Sequence, residues 1–236
     1  MNQSCLYLIP SLLGEVDFRK NIPDYNLEII HQIRIFVVEN EKSARKFIKT
    51  ILPQKVQSEL EIYILDKRTT DKELSELKKL FLRNESVGVI SEAGLPAVAD
   101  PGARLVKLAH LNNVKVVPLV GPSSIMLALM ASGMNGQQFC FHGYLPIDKS
   151  ERKKAIQKLE NESRKTGFTQ IFMETPYRNN QLIEDLVNNC QPSTTLCVAA
   201  SISLPDEFIV TKSIKEWSQK KADFHKKPAI FLLESN

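Results

Sequence analysis

Residues 86–102, SVGVISEAGLPAVADPG, combine a short apolar run, a loop rich in glycine, alanine and proline, and the start of a helical segment. The run 86–91 predicts a buried β-strand, and Asp100 before Pro101 is typical of a helix N-terminus. In open α/β sheets, ligands bind at loops that follow the carboxyl ends of strands. The loop contains neither G-x-G-x-x-G nor G-x-x-x-x-G-K-[ST], which disfavours a Rossmann dinucleotide site and a P-loop.

The alternation of strand and helix extends outward through the first half of the chain. Apolar runs predict strands at 5–10, 34–40, 61–66, 86–91 and 114–120. Helical patterns lie between them at 41–50, after a capping box at 70–73, and at 102–111. Because the apolar runs are continuous rather than alternating, they favour strands buried on both faces of a parallel sheet. The first half is therefore predicted to be a layered α/β domain with right-handed crossovers.

The second half of the chain has a different organisation. Residues 122–131 are almost wholly apolar, and we expect a helix that is buried on all sides, with Gly133 as its C-terminal cap. Strands are predicted at 138–146, 168–176, 195–203, 206–213 and 227–235. Short links between the last three favour antiparallel pairs in a mixed sheet. The predicted domains are 1–119 and 120–236.

The composition is that of an ordinary globular chain, with 43% hydrophobic and 25% charged residues. The chain has 31 lysines and arginines and 27 acidic residues, which gives a net charge of +4. This charge permits nucleic-acid binding without indicating it. The four cysteines form no C-x-x-C pair and the four histidines no H-x-x-x-H pair, so we expect no metal site. Neither a transmembrane run nor a signal peptide is evident, and we expect a cytoplasmic protein.

Several segments resemble, in the same order along the chain, the motifs of one known family. Residues 91–102, SEAGLPAVADPG, resemble its S-D-A-G-T-P-x-x-x-D-P-G signature. Five further segments resemble other motifs of the same family. Residues 6–10 (LYLIP) resemble its first strand, 117–124 (VPLVGPSS) its V-x-P-x-P-G-P-S-A, 131–133 (ASG) its helix-ending S-G, 139–146 (FCFHGYLP) its F-x-F-x-G-F-L-P, and 174–178 (ETPYR) its E-S-P-H-R. The family is ribosomal RNA small-subunit methyltransferase I, within the tetrapyrrole (corrin and porphyrin) methylase superfamily.

This resemblance implies an α/β protein with the two-domain tetrapyrrole-methylase fold. That fold has a mostly parallel N-terminal sheet, a mixed C-terminal sheet flanked by helices, and a cleft between the domains that holds S-adenosylmethionine. The family is commonly homodimeric and methylates a ribose 2′-oxygen of a cytidine in small-subunit ribosomal RNA. The positions carried over from its cofactor residues are Pro10, Leu12, Glu92, Ala93, Gly94, Leu95, Ser123, Ser124, Ile125, Met173, Ala200, Pro228 and Ala229.

Departures from the family's motifs fall mainly in loops expected on the substrate side. The family's T-P-I-G-N is here SLLGE at 11–15, its A-E-D-T-R is VENEK at 38–42, and its E-L-T-K is SISL at 201–204. Two alternatives to ribosomal RNA methylation therefore stay open. One is a methyltransferase for a small molecule such as a tetrapyrrole, and the other is a catalytically silent protein that binds RNA or the ribosome.

Three residues are candidates for catalysis and substrate binding. A hydroxyl is a weak nucleophile that benefits from a base, and Glu39 ends the second predicted strand where the family has an acidic residue. An ordinary acidic residue at a helix N-terminus would fit the same position. Glu174 and Arg178 are candidate substrate residues, although their spacing also fits a plain i,i+4 ion pair. Two basic stretches, 149–165 and 212–227, are interleaved with acids and fit a solvated surface as well as RNA contact.

Overall fold

The computed structural model describes residues 4–219 and 223–235, and the chain divides into two compact units between Ser123 and Ser124. Each unit contains one five-stranded sheet with helices packed against it. Within the described ranges, no helix is both long and apolar enough to cross a membrane. The domain ranges 1–119 and 120–236 inferred from the sequence stay a prediction.

The first unit is a parallel α/β layer. Its strands are β1 (Cys5–Ile9), β2 (Ile35–Val38), β3 (Glu61–Ile64), β4 (Val87–Ile90) and β5 (Lys115–Pro118), and its helices are α1 (Asp24–Gln32), α2 (Glu41–Ile51), α3 (Asp71–Phe81) and α4 (Gly102–Leu111). The strands are ordered β3-β2-β4-β1-β5, and every neighbouring pair is parallel. The predicted parallel sheet is confirmed.

Helices cover both faces of this sheet because its central strands are apolar on both faces. Every residue of β2 and of β4 is buried. One hydrophobic cluster joins α1 and α2 to the sheet around the fully buried Ile48, and a second joins α3 and α4 around the fully buried Leu105. Burying one such side chain stabilises the fold by roughly 1.5–3 kcal/mol. The two clusters therefore hold the strand ends in place from both sides.

The second unit is built on a mixed sheet. Its strands are β6 (Phe139–Tyr144), β7 (Thr169–Glu174), β8 (Thr195–Ala200), β9 (Phe208–Ser213) and β10 (Ala229–Glu234), and its helices are α5 (Ser124–Ser132), α6 (Lys149–Thr166), α7 (Asn179–Asn189) and α8 (Ile214–Gln219). The strand order is β6-β7-β10-β8-β9. Only the pair of β6 and β7 is parallel among these described strands, so the predicted antiparallel pairing of the late strands is confirmed.

Helix α5 is buried on one face only, which corrects the expectation of burial on all sides. Ile125, Ala128 and Leu129 are buried, and the helix packs against β8, β9 and β10. On the other face, Met126 is 41% exposed and Met130 is 79% exposed. A nine-residue helix that lies on one sheet presents one stripe of side chains to it, and a uniformly apolar sequence does not reveal which stripe.

Two short helices, α1 and α8, are not indicated by the sequence patterns above. Helices shorter than about 12–15 residues are marginal on their own and depend on packing. Helix α1 is held by the fully buried Ile30, and α8 is held by Trp217, whose Nε1 donates to the Leu196 carbonyl at 2.9 Å. Both helices are therefore stabilised by contacts with residues that are distant in the sequence.

Candidate functional site

The carboxyl ends of three strands meet at one edge of the first sheet, because β4 pairs in parallel with both β1 and β2. The loops that follow these strands therefore start side by side, at 10–17, 39–40 and 91–101. The structure thus brings together most of the first-unit residues predicted from the sequence, which are Pro10, Leu12, Glu39, Glu92, Ala93, Gly94 and Leu95.

The loop 91–95 is fastened to the segment that follows β1. The backbone N–H of Ser11 donates to the Gly94 carbonyl at 2.9 Å, and the Ser11 hydroxyl donates to the Ser91 carbonyl at 3.0 Å. Gly94 has a φ of +72°, and a Cβ on it would lie 3.3 Å from the Pro122 carbonyl oxygen. Glycine suits this position on both counts, since it tolerates positive φ and close backbone approach.

Three successive backbone donors in this loop have no partner. The N–H groups of Ala93, Gly94 and Leu95 donate no hydrogen bond within the described part of the chain, and Ala93 is exposed. Successive free N–H groups around a left-handed residue form a concavity that binds anions. The loop therefore fits a small carboxylate, such as the carboxylate of an amino acid.

The chain after β5 passes directly over the chain after β1. A Cβ on Gly121 would lie 2.2 Å from the Cβ of Pro10, so a larger residue at position 121 cannot be accommodated without movement. The amide of Asn26 donates to the Val120 carbonyl at 2.8 Å and fixes the same segment. This close approach places Ser123, two residues further along, near the edge that carries the other loops.

Glu39 lies between β2 and the N-terminus of α2 and is half-buried. One of its carboxylate oxygens accepts the backbone N–H of Glu92 at 3.1 Å. Burial raises the pKa of Glu39, the charges of Asp100 and Glu92 add to that increase, and the hydrogen bond and Lys67 act against it. The N-cap of α2 is Asn40, whose side chain accepts the Ser43 N–H, so Glu39 is not the residue that caps the helix. Its environment suits a proton acceptor.

The second-unit residues predicted to contact the cofactor lie mostly at one end of the second sheet. In the register of the strands, Ala229 pairs with Ala200, and its neighbour Ile230 pairs with Met173. The carbonyl of Pro228 accepts the N–H of Ser201 at 2.8 Å. Met173, Ala200 and Ala229 therefore lie at the same end of the sheet, where β7, β8 and β10 meet. Ser124 and Ile125 lie in the first turn of α5.

Glu174 and Arg178 form an ion pair. The Glu174 side chain is fully buried, and its Oε1 lies 2.5 Å from Nη2 of Arg178, whose side chain is 33% exposed. The N–H of Thr175 donates to the same oxygen at 2.6 Å. The second oxygen, Oε2, is buried and has no partner in the described part of the chain. The i,i+4 pair anticipated from the spacing is present, and a role in substrate binding stays a prediction.

A cavity of about 560 Å³ opens beside the first-unit loops and was not anticipated from the sequence. It lies between the loop after β1, the loop after β4 and helix α2. Its lining consists of Ser11, Leu12, Gly14, Glu15, Val16, Asp17, Asn40, Ser43, Ala44, Lys46, Phe47, Thr50, Ile90, Ser91 and Glu92. The departures at 11–15 and 38–42 pointed to two of its borders, but no local pattern marks the face that α2 contributes.

Comparisons with known proteins agree on the family. The sequence model of the Tetrapyrrole (Corrin/Porphyrin) Methylases matches residues 26–217. The ribosomal RNA small subunit methyltransferase I of Buchnera aphidicola subsp. Schizaphis graminum is 28% identical, over 97% of this chain and 77% of that protein. The protein of the same name from Escherichia coli O157:H7 is 24% identical, over 100% of this chain and 79% of that protein.

Solved structures show the same fold. The methyltransferase CobJ has a TM-score of 0.65 at 14% identity, covering 98% of this chain and 94% of its own. Diphthine synthase has a TM-score of 0.67 at 15% identity, covering 98% and 90%. The predicted two-domain tetrapyrrole-methylase fold is confirmed, and the catalytically silent alternative is set aside by relatives that are named methyltransferases. The chain belongs to the tetrapyrrole (corrin/porphyrin) methylases and is an S-adenosylmethionine-dependent methyltransferase.

Proposed function

We propose that this enzyme methylates small-subunit ribosomal RNA, at a ribose 2′-oxygen. The observation that carries the proposal is the similarity to relatives named ribosomal RNA small subunit methyltransferase I, which extends over 97–100% of this chain. The ribose oxygen as acceptor rests on the resemblance of motifs such as 91–102 and 174–178. The rival acceptor, a tetrapyrrole, is supported by the description of the matching family and by likeness of fold, whereas the two relatives that match nearly the whole chain are named for ribosomal RNA.

We propose that the predicted residues of each unit contact S-adenosylmethionine, which supplies a methyl group on a sulfonium centre. In the first unit, the free N–H groups of 93–95 suit the carboxylate of the cofactor's amino-acid end, and Glu92 suits its ammonium group. In the second unit, Met173, Ala200 and Ala229 lie at the same end of the sheet, which we propose to contact the adenine ring. The remaining proposed contacts are Pro10, Leu12, Ser123, Ser124, Ile125 and Pro228. Together, the proposed contact residues of both units would align the methyl donor with the acceptor hydroxyl and exclude water.

We propose that Glu39 accepts the proton of the attacking hydroxyl. Its carboxylate lies at the edge of the sheet that carries the proposed cofactor loop, and burial gives it a raised pKa. A general base works best when its pKa approaches the working pH. One of its oxygens is held by the Glu92 N–H, which fixes the orientation of the other.

We propose that Arg178 contacts an RNA phosphate and that Glu174 positions it. Arg178 reaches Glu174 through Nε and Nη2, which leaves its Nη1 group for a ligand. The side chain is one-third exposed, whereas the Glu174 carboxylate is buried and fixed by the N–H of Thr175. An arginine that is held on one side by a carboxylate is preorganised for an anion on the other.

The first experiment is calorimetric titration of the purified chain with S-adenosylmethionine and S-adenosylhomocysteine. Micromolar binding that is lost in Gly94→Trp supports the cofactor site. The second experiment incubates the chain with labelled S-adenosylmethionine and small ribosomal subunits, and then maps the modified nucleotide by its block to alkaline cleavage. Label in the RNA at an alkali-resistant bond supports the proposal. Label on a base, or none in the RNA, would contradict it.

We propose further that the enzyme is a cytoplasmic homodimer. An exposed apolar stripe on α5, which includes Met126 and Met130, is a surface that a second copy could cover. Light scattering of the purified chain measures the mass directly, and a monomer at micromolar concentration would contradict the dimer.

A further inference from the structure

The cavity beside α2 has a wall that suits a flat ring. Its apolar lining comes from Leu12 and Val16 on the loop after β1, from Ala44 and Phe47 on α2, and from Ile90 at the end of β4. Aromatic and aliphatic side chains of this kind stack on nucleobases in proteins that bind unpaired RNA. The volume of about 560 Å³ lies within the range of ~300–1,000 Å³ found for small-molecule sites.

The polar lining of the cavity favours a neutral ligand that donates hydrogen bonds. Among its lining residues, all within the described range 4–219, Glu15, Asp17 and Glu92 carry negative charge and Lys46 carries the only positive charge. Lys46 lies 2.5 Å from Glu15, which neutralises most of its attraction for an anion. Ionised carboxylates only accept hydrogen bonds, so they favour amino and hydroxyl groups and disfavour phosphates or the carboxylates of a tetrapyrrole.

The cavity adjoins the residues proposed to contact the cofactor. Leu12 and Glu92 belong to both sets. The Ser43 hydroxyl donates to Glu92 Oε1 at 2.5 Å and so ties α2 to the proposed cofactor loop. An in-line displacement requires the acceptor atom next to the methyl group, so a ligand of this cavity is positioned as the acceptor rather than as a bystander.

We infer that this cavity holds one nucleoside of the RNA, with the base against Phe47, the ribose toward Glu92 and the phosphates outside. The inference rests on the proposed function and specifies its acceptor site. A nucleoside reaches such a cavity only from a single-stranded segment or after it leaves the base stack. The enzyme therefore takes an unpaired or extruded nucleotide, and the acidic lining rejects anionic small acceptors.

The test compares two neighbouring tryptophan substitutions on α2. Thr50 lines the cavity and Lys49 does not, yet both side chains are exposed, so either position tolerates a larger residue without disturbing the core. In Thr50→Trp, we expect kcat/KM for methyl transfer to small-subunit RNA to fall at least about tenfold, since the acceptor is displaced. Lys49→Trp keeps wild-type kcat/KM. Both variants bind S-adenosylhomocysteine as the wild type does.

A second variant addresses the ring wall. Phe47→Ala removes the aromatic surface, and we expect a higher KM for RNA with cofactor affinity unchanged; melting curves check that the variant is folded. Equal kcat/KM for wild type, Thr50→Trp and Lys49→Trp would overturn the cavity assignment while leaving the proposed function intact. If the wild type binds S-adenosylhomocysteine but transfers no methyl group to the RNA, the proposed function fails, and the cavity assignment fails with it.

Discussion

The two sheets end differently at the edges that carry the predicted site residues. In the first unit, parallel strands release three loops side by side, and Glu39 there is half-buried with a raised pKa. In the second unit, β7 runs antiparallel to its neighbour β10, so the loops after these two strands leave opposite ends of the sheet. Glu174 at the end of β7 is fully buried, and its Oε1 lies 2.5 Å from Nη2 of Arg178. A carboxylate that is desolvated and lacks a strong ion pair can accept a proton, whereas an ion-paired one can orient its partner. The first edge is therefore suited to chemistry and the second to positioning.

The largest effect is expected at the first edge. Glu39→Gln removes the proposed base but keeps an oxygen that can accept the Glu92 N–H, so methyl transfer should fall by about 10²–10⁴-fold with unchanged cofactor affinity. In the wild type, the low-pH limb of the rate profile should lie above the ordinary glutamate pKa of about 4.3, because burial raises the pKa of Glu39.

The control for this variant is Glu41→Gln, two residues further along, at the first position of α2. Glu41 pairs with Arg45 at 2.8 Å on the exposed side of α2, and its loss should leave the rate within about twofold, as expected for a surface ion pair. Single-turnover rates with saturating cofactor separate the two variants. A Glu39→Gln enzyme that retains wild-type rates would show that the first edge supplies no base.

The second effect concerns the backbone that holds the first edge together. A Cβ at position 121 would lie 2.2 Å from the Cβ of Pro10, so Gly121→Ala should destabilise the fold by about 1–3 kcal/mol through overpacking. Gly136→Ala is the matched control, since no atom lies within 4 Å of its Cβ position. Urea unfolding compares the two variants. Equal unfolding midpoints would mean that the segments around Pro10 and Gly121 move apart at little cost in stability.

A third substitution tests the edge of the second sheet. Arg178→Gln leaves the buried Glu174 carboxylate without its cation, and we expect a loss of about 1–2 kcal/mol, reduced from that of a fully buried pair because Arg178 is one-third exposed. If Arg178 also contacts a phosphate, KM for RNA rises and its dependence on log salt weakens by about one unit. Arg178→Lys should restore part of both. A lower stability with an unchanged KM and salt slope would reduce Arg178 to a structural role.

Much of the fold was predictable because the decisive signals are local. Continuous apolar runs gave the parallel strands, and the capping box at Thr70 and Glu73 is present with both of its hydrogen bonds. What failed depends on long-range packing. The uniformly apolar α5 does not reveal its exposed Met130, and α8 depends on the contact of Trp217 with β8.

The candidate site divides in the same way. The loop around Gly94 was recognisable, since glycine and proline mark a turn wherever it lies in the fold. The cavity wall was not, because Phe47 and Thr50 follow an ordinary amphipathic pattern along α2. Only the docking of α2 beside the loop after β1 turns that face into a lining. Site residues that act through a local backbone conformation can therefore be recognised in a sequence. Site residues that depend on how a helix packs against a distant loop cannot.

The smallest expected effect has the opposite sign from the others. A folded-state pKa of Glu39 above its unfolded value means that its contribution to stability is present below the unfolded pKa and is lost as pH rises through the folded pKa. Glu39→Gln does not titrate, so relative to wild type it should gain stability as pH rises and show no gain near pH 3. Because the group is only half-buried, solvent keeps the gain small, at about 1 °C in Tm at neutral pH. Melting curves at pH 3 and pH 7.5, with Glu41→Gln as control, measure it. A variant that is inactive and yet slightly more stable would mean that Glu39 serves catalysis at a cost to stability, whereas a loss of stability at pH 7.5 would show that Glu39 stabilises the fold.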